Sequence, residues 1–422
     1  MYNEFKSFVR LRTFGSSATL WLIILFPSFL HAQYFIVPHF ASTVDEAPEI
    51  VSRSAVLIDA STGALLYSKN GDDEIPPASL TKLMTMYIIM NEIKEGRASY
   101  DELIPITIES WAQSQPAQSS LMFLEPGQNV TLREIMLGLS VPSGNDAAVA
   151  AALRFAPSVD DFVDLMNLHV RRMGLQITRF YDTSGYSWLN ITTANEFAYF
   201  CYQYVNQHPE SLNDFHSVQE FSYPLIENVT ERNRNNVNTI TQESNNRLLS
   251  SFPGVDGLKT GFIPDAGYNI ALTAMRENTR FILVILGAPS QPGGAWIRLE
   301  DGARLLTWAF ENFKTENINL PKIENARLWK GKLNRAELKI LDNFPIDVFT
   351  SPINRSERLF YETFLYDNLV APLPVNAPVG YLAISDEYSE LHRIPLVTAR
   401  AYEKGNFIKR IWHSFLLLFK TS

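Results

Sequence analysis

The sequence predicts an α+β fold: an antiparallel sheet with a block of helices inserted into it, followed by a small all-β sandwich. Three observations carry this prediction. Strand-like runs at residues 54–68 and 257–286 flank a stretch of helical periodicity between Ser79 and Arg172. After Lys314 the pattern changes to short β-rich runs separated by Pro- and Asn-containing turns. The length, 422 residues, exceeds what one hydrophobic core ordinarily supports.

The first segment reads as an address. Lys6, Arg10 and Arg12 precede an interrupted apolar run, residues 18–30, and Leu30-His31-Ala32 offers a small-residue cleavage site. The run is too short to span a bilayer comfortably, so a cleaved signal peptide is preferred to a membrane anchor. The expected organisation is a signal peptide at 1–32, a lead-in linker at 33–50, a catalytic domain at 51–315, a C-terminal β domain at 316–400 and an amphipathic helix at 401–422. Cleavage removes three basic residues and one acidic residue, taking the formal charge from −9 to about −11. That balance disfavours a nucleic-acid partner. No Walker loop, dinucleotide fingerprint or His/Cys cluster at metal spacing is present, so no metal and no cofactor is expected. The single cysteine, Cys201, sits in an apolar helical stretch and reads as a buried small hydrophobe. No cysteine follows the signal segment for lipid attachment.

Within the catalytic domain, residues 54–60 and 64–68 form a hairpin across the Ser61-Thr62-Gly63 turn. Apolar residues at three- and four-residue spacing, such as Leu83, Tyr87 and Met90, mark helices. Residues 205–247 are rich in Asn, Gln, Ser and Glu and read as loops with a surface hairpin. Strands return at 257–262, 268–274 and 281–286, and a helix over 296–313 packs back on them. Residues 338–341, 346–350 and 379–384 are strands of the β domain, which holds no catalytic constellation. In residues 406–420, Phe407, Ile408, Ile411, Trp412, Phe415, Leu418 and Phe419 recur with helical period, while Lys409, Arg410 and His413 lie elsewhere. Such a helix suits a membrane surface, drawn to anionic lipid by its basic residues; docking on the β domain is the alternative.

Three short motifs carry chemistry. Ser79-Leu80-Thr81-Lys82 follows Pro76-Pro77-Ala78 at a helix start, placing a hydroxyl beside an amine that can take its proton. That amine must be partly neutral, with its pKa drawn to roughly 7–8 by burial. Ser143-Gly144-Asn145 precedes an Ala-rich helix. Lys259-Thr260-Gly261 lies on a strand whose interior glycine marks close approach by a ligand, so that a peptide adds along the edge and its terminal carboxylate meets Lys259 and Thr260. Each motif alone also has a plain reading: a capping Ser with a solvated Lys, a helix N-cap, and an edge strand carrying a protective Lys.

In this order the three resemble the active-site signature of penicillin-binding proteins and serine β-lactamases. Pro77-Ala-Ser-Leu-Thr-Lys-Leu-Met-Thr85, Gly138-Leu-Ser-Val-Pro-Ser-Gly-Asn-Asp-Ala147, Gly254-Val-Asp-Gly-Leu-Lys-Thr-Gly-Phe262 and Ala266-Gly-Tyr-Asn269 look like the low-molecular-mass D-alanyl-D-alanine carboxypeptidases. The resemblance covers about residues 45–315 and extends more loosely through the β domain and the terminal helix. It implies a β-lactamase/transpeptidase-like catalytic domain. It also implies a periplasmic, membrane-associated hydrolase of peptidoglycan biosynthesis and cell shape, which removes the terminal D-alanine from stem pentapeptides and is acylated by β-lactams. By position it implies Ser79 as nucleophile, Lys82 as base, Ser143 and Asn145 as relay pair, and Lys259, Thr260, Gly261 and Phe262 on the substrate strand. It further implies an oxyanion hole made by the amides of Ser79 and Phe262. Two positions depart from the pattern: Phe262 stands where many relatives have Thr or His, with substrate choice or rate expected to shift, and Glu196 stands where an Asp is common. Arg247 is given no role. A D-alanyl endopeptidase would use the same chemistry. A β-lactamase with a separate deacylating Glu needs a loop absent here, and a non-catalytic peptidoglycan-binding protein would not need the intact motifs.

Overall fold

The computed structural model describes residues 46–230, 235, 237–342 and 348–419, so the predicted signal segment and most of the lead-in lie outside the described residues. Strands β1 (Ser54–Asp59) and β2 (Leu65–Lys69) form the expected hairpin. All six residues of β1 are buried because both faces of its sheet are covered, which explains why it reads as a continuous apolar run. A 3-10 turn, Ala78–Thr81, then leads into α1 (Lys82–Lys94), whose residues Lys82 to Met90 are all buried. The short strands β3 (Leu103–Ile104) and β4 (Val130–Thr131) pair ahead of α2 (Leu132–Ser140). Thr131 and Glu134 form a reciprocal capping box at the start of α2. Next come α3 (Asn145–Phe155), α4 (Val159–Arg172) and α5 (Ala194–Gln207). The alanines of α3 are buried, and their small side chains let α1, α2 and α4 approach it.

The polar stretch contains the predicted hairpin, β5 (Glu220–Tyr223) with β6 (Ile240–Glu243), and a π-helical turn at Leu212–His216. After the short α6 (Leu248–Ser251), strands β7 (Val255–Ile263), β8 (Gly267–Arg276) and β9 (Thr279–Ala288) complete a sheet of order β2-β1-β9-β8-β7. Both ends of the domain therefore build one sheet, with β7 at its edge. Helix α7 (Gly294–Asn312) covers one face with Leu305, Leu306 and Ala309. The helical block covers the other, where Leu83, Ile88 and Phe197 meet Val56, Ile58 and Val284.

The remaining strands are β10 (Phe313–Asn317), β11 (Ala326–Trp329), β12 (Arg335–Ala336), β13 (Leu338–Ile340), β14 (Val348–Pro352), β15 (Phe360–Leu365), β16 (Leu369–Val370), β17 (Pro378–Ser385) and β18 (Glu390–Thr398). They form antiparallel β10-β14, a three-stranded β12-β11-β16 and a four-stranded β13-β18-β17-β15 sheet. Of the strand expected at 346–350, residues 348–350 are strand within Val348–Pro352, and residues 346 and 347 lie outside the described residues. Leu328, Ile384 and Leu396 of this region join the same apolar cluster as Leu305 and Leu306, so α7 is shared by both units.

Helix α8 (Phe407–Leu418) is capped by Asn406, whose Oδ1 accepts the Lys409 amide at 2.9 Å. It docks through His413, whose Nδ1 accepts the Lys330 amide at 2.8 Å and whose ring meets Trp329 edge-on, and through Lys409, whose Nζ donates to the Lys332 carbonyl at 3.0 Å. Phe407, Ile408, Ile411, Trp412, Phe415 and Leu418 point away, each 49–81% exposed. No helix among the described residues is long and apolar enough to cross a membrane.

Candidate active site

The three motifs converge where the helical block meets the edge strand β7. Ser79 does not cap a helix, as its position before an apolar run implied. It lies inside the 3-10 turn, with no side-chain cap, and Lys82 is the first residue of α1. The pairing survives because side chains three apart nearly eclipse in a 3-10 turn. Lys82 Nζ lies 3.2 Å from Ser79 Oγ, 2.8 Å from Asn145 Oδ1 and 2.7 Å from the Ser184 carbonyl. Ala78, immediately before Ser79, has φ +52°, a backbone setting uncommon for a residue with a Cβ.

Lys82 is fully buried, and burial draws its pKa from 10.5 to about 7, against the opposing pull of Asp182 and Asp146. The hydrogen bonding decides what the neutral amine can do. The Asn145 and Ser184 oxygens can only accept, so they take both N–H bonds of the neutral form. The lone pair is left facing Ser79 Oγ, where the hydroxyl donates to it. This is the arrangement a base needs to take that proton.

Asn145 begins α3, and Gly144 rather than Ser143 stands at its N-cap without a capping side chain. Asn145 Nδ2 donates to Ser119 Oγ at 3.0 Å, which ties the far end of the amide to the loop before Met122. Ser143 has φ +63°, and its buried hydroxyl has no protein partner among the described residues. Asp146, next along α3, accepts the amides of Met122, Phe123 and Leu124 at 2.8–2.9 Å and so holds the loop that carries Ser119.

On β7, Lys259 is almost fully buried, and burial, then the charges of Lys82 and Arg298, hold its pKa well below normal. Its Nζ donates to the Thr260 carbonyl at 3.0 Å. Gly261 faces the Ser79 turn: a Cβ there would lie 3.0 Å from the Ser79 amide nitrogen and from the Pro77 carbonyl oxygen. Any larger residue would push the strand off the turn. Phe262 is the exposed member of the motif, 41% accessible. Lys82, Lys259 and Arg298 thus gather three basic groups in one place, and an anionic ligand beside them would favour their protonated forms.

Several supporting residues escaped the sequence reading. Asp182 accepts from the Ser184 and Ser187 amides and from Asn190 Nδ2, which shapes a loop whose Ser184 carbonyl holds Lys82. Gly185 in that loop has φ +82°, and a Cβ would lie 1.8 Å from the Ala78 carbonyl oxygen. The Asp182-Thr-Ser-Gly185 run was the available signal, a turn sequence with a positive-φ residue. Arg298 reaches from α7 to the Gly261 and Asn269 carbonyls, 3.1 Å each. Asn269 in turn joins the Pro76 carbonyl, at 2.9 Å, to the sheet. His216 stands behind β7, donating from Nδ1 to the Leu258 carbonyl at 3.1 Å and accepting from Tyr204 Oη at 2.7 Å. Burial pushes its pKa to about 3, so it is a neutral strut.

Two singled-out residues lie apart from this site. Glu196 accepts the amides of Gln176, Ile177 and Thr178 at 2.7–2.9 Å, a structural task in the loop before α5. Arg247 is exposed and paired with Glu243. Cys201 is fully buried in α5.

Comparison with known proteins identifies the family. The sequence profile of the peptidase S11 family, described as D-alanyl-D-alanine carboxypeptidase, matches residues 41–290. D-alanyl-D-alanine carboxypeptidase DacC of Escherichia coli (strain K12) is 30% identical over 380 residues, covering 89% of this chain and 90% of that protein. The crystal structure of penicillin binding protein 5 from Haemophilus influenzae superposes with a TM-score of 0.71 at 28% identity, covering 85% of this chain and 100% of that one. Penicillin binding protein 6B from Escherichia coli gives 0.65 at 28% identity, covering 86% and 99%.

Proposed function

The chain belongs to the D-alanyl-D-alanine carboxypeptidase family, and from that premise we propose the part each site residue plays in its reaction. The protein is a serine-type D-Ala-D-Ala carboxypeptidase with peptidoglycan stem peptides as substrate and β-lactams as ligands. Ser79 Oγ attacks the carbonyl carbon of the penultimate D-alanine as its proton passes to Lys82 Nζ. The amides of Ser79 and Phe262 receive the oxyanion. Collapse of the tetrahedral adduct breaks the amide C–N bond, and the leaving amine takes a proton by way of Ser143. Water then hydrolyses the Ser79 ester by the reverse proton path. Asn145 orients Lys82, and Lys259 and Thr260 receive the terminal carboxylate.

The single observation that carries this assignment is the buried Lys82 amine with two obligate acceptors and one hydroxyl. A labelled penicillin tests it, since its strained amide stands in for the D-Ala-D-Ala amide. The wild type should form a stable adduct on Ser79 and release D-alanine from a stem pentapeptide, while Ser79→Ala should do neither and still fold. An adduct mapped to another residue in Ser79→Ala would overturn the assignment.

The second proposal concerns location. An exported enzyme on the periplasmic side of the inner membrane, held there by α8, is supported by the outward apolar face of that helix and by Lys409 and Arg410 beside it. In this reading residues 316–400 are a β domain that acts as a stalk.

A further inference from the structure

The backbone leading into Lys259 is held by side chains that none of the three motifs contains. Strand β7 lies at the sheet edge, so β8 is its one strand partner in that sheet. Two side chains take the backbone carbonyls just ahead of Lys259. Asn246 Nδ2 donates to the Gly257 carbonyl at 3.3 Å, and His216 Nδ1 donates to the Leu258 carbonyl at 3.1 Å. His216 ends the π-helical turn Leu212–His216, which the Ser217 amide closes on the Leu212 carbonyl at 2.9 Å. Turns of this kind are rare and frequently sit at functional sites. Gly257 lets the turn come close, since a Cβ there would lie 3.1 Å from the His216 Cβ. The ring is fixed at its far end too, where Tyr204 Oη, on α5, meets Nε2 at 2.7 Å. A carbonyl only accepts, so Nδ1 carries the ring proton and Nε2 takes that of the phenol. Burial keeps the ring neutral, so this donor adds no charge beside Lys259.

The Leu258 carbonyl belongs to the peptide unit whose nitrogen is that of Lys259. Holding the carbonyl therefore fixes where the Lys259 side chain starts. Lys259 has little other support. Among the described residues its Nζ has one hydrogen-bond partner, the adjacent Thr260 carbonyl at 3.0 Å, and no carboxylate pairs with it. The charges near it, Lys82 and Arg298, repel it. We propose that His216 is a positioning residue for the terminal carboxylate: by fixing the Leu258 carbonyl it sets where Lys259 meets that group. The inference rests on the carboxypeptidase reading, in which Lys259 receives the carboxylate. Without the imidazole the Leu258–Lys259 peptide can turn and the amine loses its place. The bonds that place Ser79, Lys82 and Asn145 do not pass through His216.

The test follows D-alanine released from an acyl tripeptide ending in D-Ala-D-Ala, and D-alaninamide released from its C-terminal amide. Wild type, His216→Leu, His216→Asn and Tyr204→Phe are compared, with thermal melts on each. His216→Leu removes the donor and should lower kcat/KM on the free acid by about 10–100-fold, chiefly through KM, with the amide within about 3-fold. His216→Asn puts an amide donor near the place of Nδ1 and should recover most of that loss. Tyr204→Phe keeps the ring but frees its far end, and should cost the free acid about 3–10-fold. Because it removes only a hydroxyl, the split between acid and amide is read from it should His216→Leu fail to fold. Equal losses on acid and amide, or full activity in the variants, overturn the proposal and leave the carboxypeptidase reading intact. So does a folded His216→Asn that is no better than His216→Leu. Wild type that releases no D-alanine from the free acid overturns that reading, and this inference with it.

Discussion

At the residue scale the protein is governed by the cost of burying one amine. Lys82 titrates near 7 in the folded protein and near 10.5 when free, so the burial penalty is roughly 5 kcal/mol at low pH. Below pH 7 both folded and unfolded chains carry the proton and the full penalty is felt. Between 7 and 10.5 the unfolded chain binds more protons, so stability rises with pH through that window. Lys82→Met should therefore be more stable than wild type at pH 6, with the gap closing toward pH 10 in denaturant melts. Catalysis should follow the neutral fraction. Acylation by penicillin should fall about tenfold from pH 8 to pH 6 and level off above 8. Lys82→Arg should be inactive throughout, because a guanidinium keeps its proton. A flat profile across pH 6–8 would remove Lys82 as the base. Lys259 tests the other half of the site: Lys259→Ala should slow cleavage of substrates with a free terminal carboxylate more than that of amidated analogues, whereas Lys82→Ala should slow both by roughly 10²–10⁴.

At the element scale, the site depends on how closely one loop presses on the turn that carries Ser79. The Asp182 carboxylate gathers residues 184–190, and only glycine at 185 lets the loop reach the Ala78 carbonyl. Gly185→Ala places a Cβ 1.8 Å from that backbone oxygen, so either the loop or the turn carrying Ser79 must move. Since the same loop supplies the Ser184 carbonyl to Lys82, a displacement of about 1 Å should cost acylation 100-fold or more. Gly96→Ala is the control. It too has positive φ, but nothing lies within 4 Å of the added methyl. It should lower stability by about 1 kcal/mol and leave the acylation rate alone. Stopped-flow acylation with thermal melts on both variants separates the two effects, and equal rates in the pair would show that the loop does not position the site.

At the scale of the whole molecule, a chain of charge −9 ends in a helix with basic residues beside an exposed apolar face. The helix is not free to turn: His413, the Lys409 bond to the Lys332 carbonyl and the Gly405–Lys330 hydrogen bond hold it on the β unit with that face outward. A membrane contact would then fix the orientation of the whole enzyme. Truncation after Gly405 keeps the docking bonds made by residues 403–405 and should release the protein from anionic vesicles with little change in cleavage of small peptides. Charge reversal at Lys409 and Arg410 should weaken binding to anionic vesicles more than to neutral ones, each charge being worth about 1 kcal/mol at such a surface. Co-sedimentation decides the matter, and a truncated protein that pellets as fully as the intact one rules the helix out as anchor.

The sequence by itself determined those features that depend on residue type at short range. Ser79 and Lys82 are three apart, Asn145 opens an Ala-rich helix, and Lys259 to Gly261 sit on an apolar run, so that they lie on or beside regular elements was legible from spacing, while their roles were expected from the resemblance the motifs carry together. The order of strands and helices also foretold a sheet closed from both ends, because each element carries its own periodicity. Only the tertiary structure decided what depends on approach across the chain. It placed Ser79 in a 3-10 turn, because the turn must fit between Gly261 and Gly185. It assigned Asp182, Ser184 and Arg298 to the site, though each lies over a hundred positions from its partner or acts through a carbonyl that no motif records. It turned Glu196 into a loop clamp and stacked Phe262 on Tyr268, because hydrogen-bond partners and ring faces are set by packing, and packing has no fixed distance along a chain.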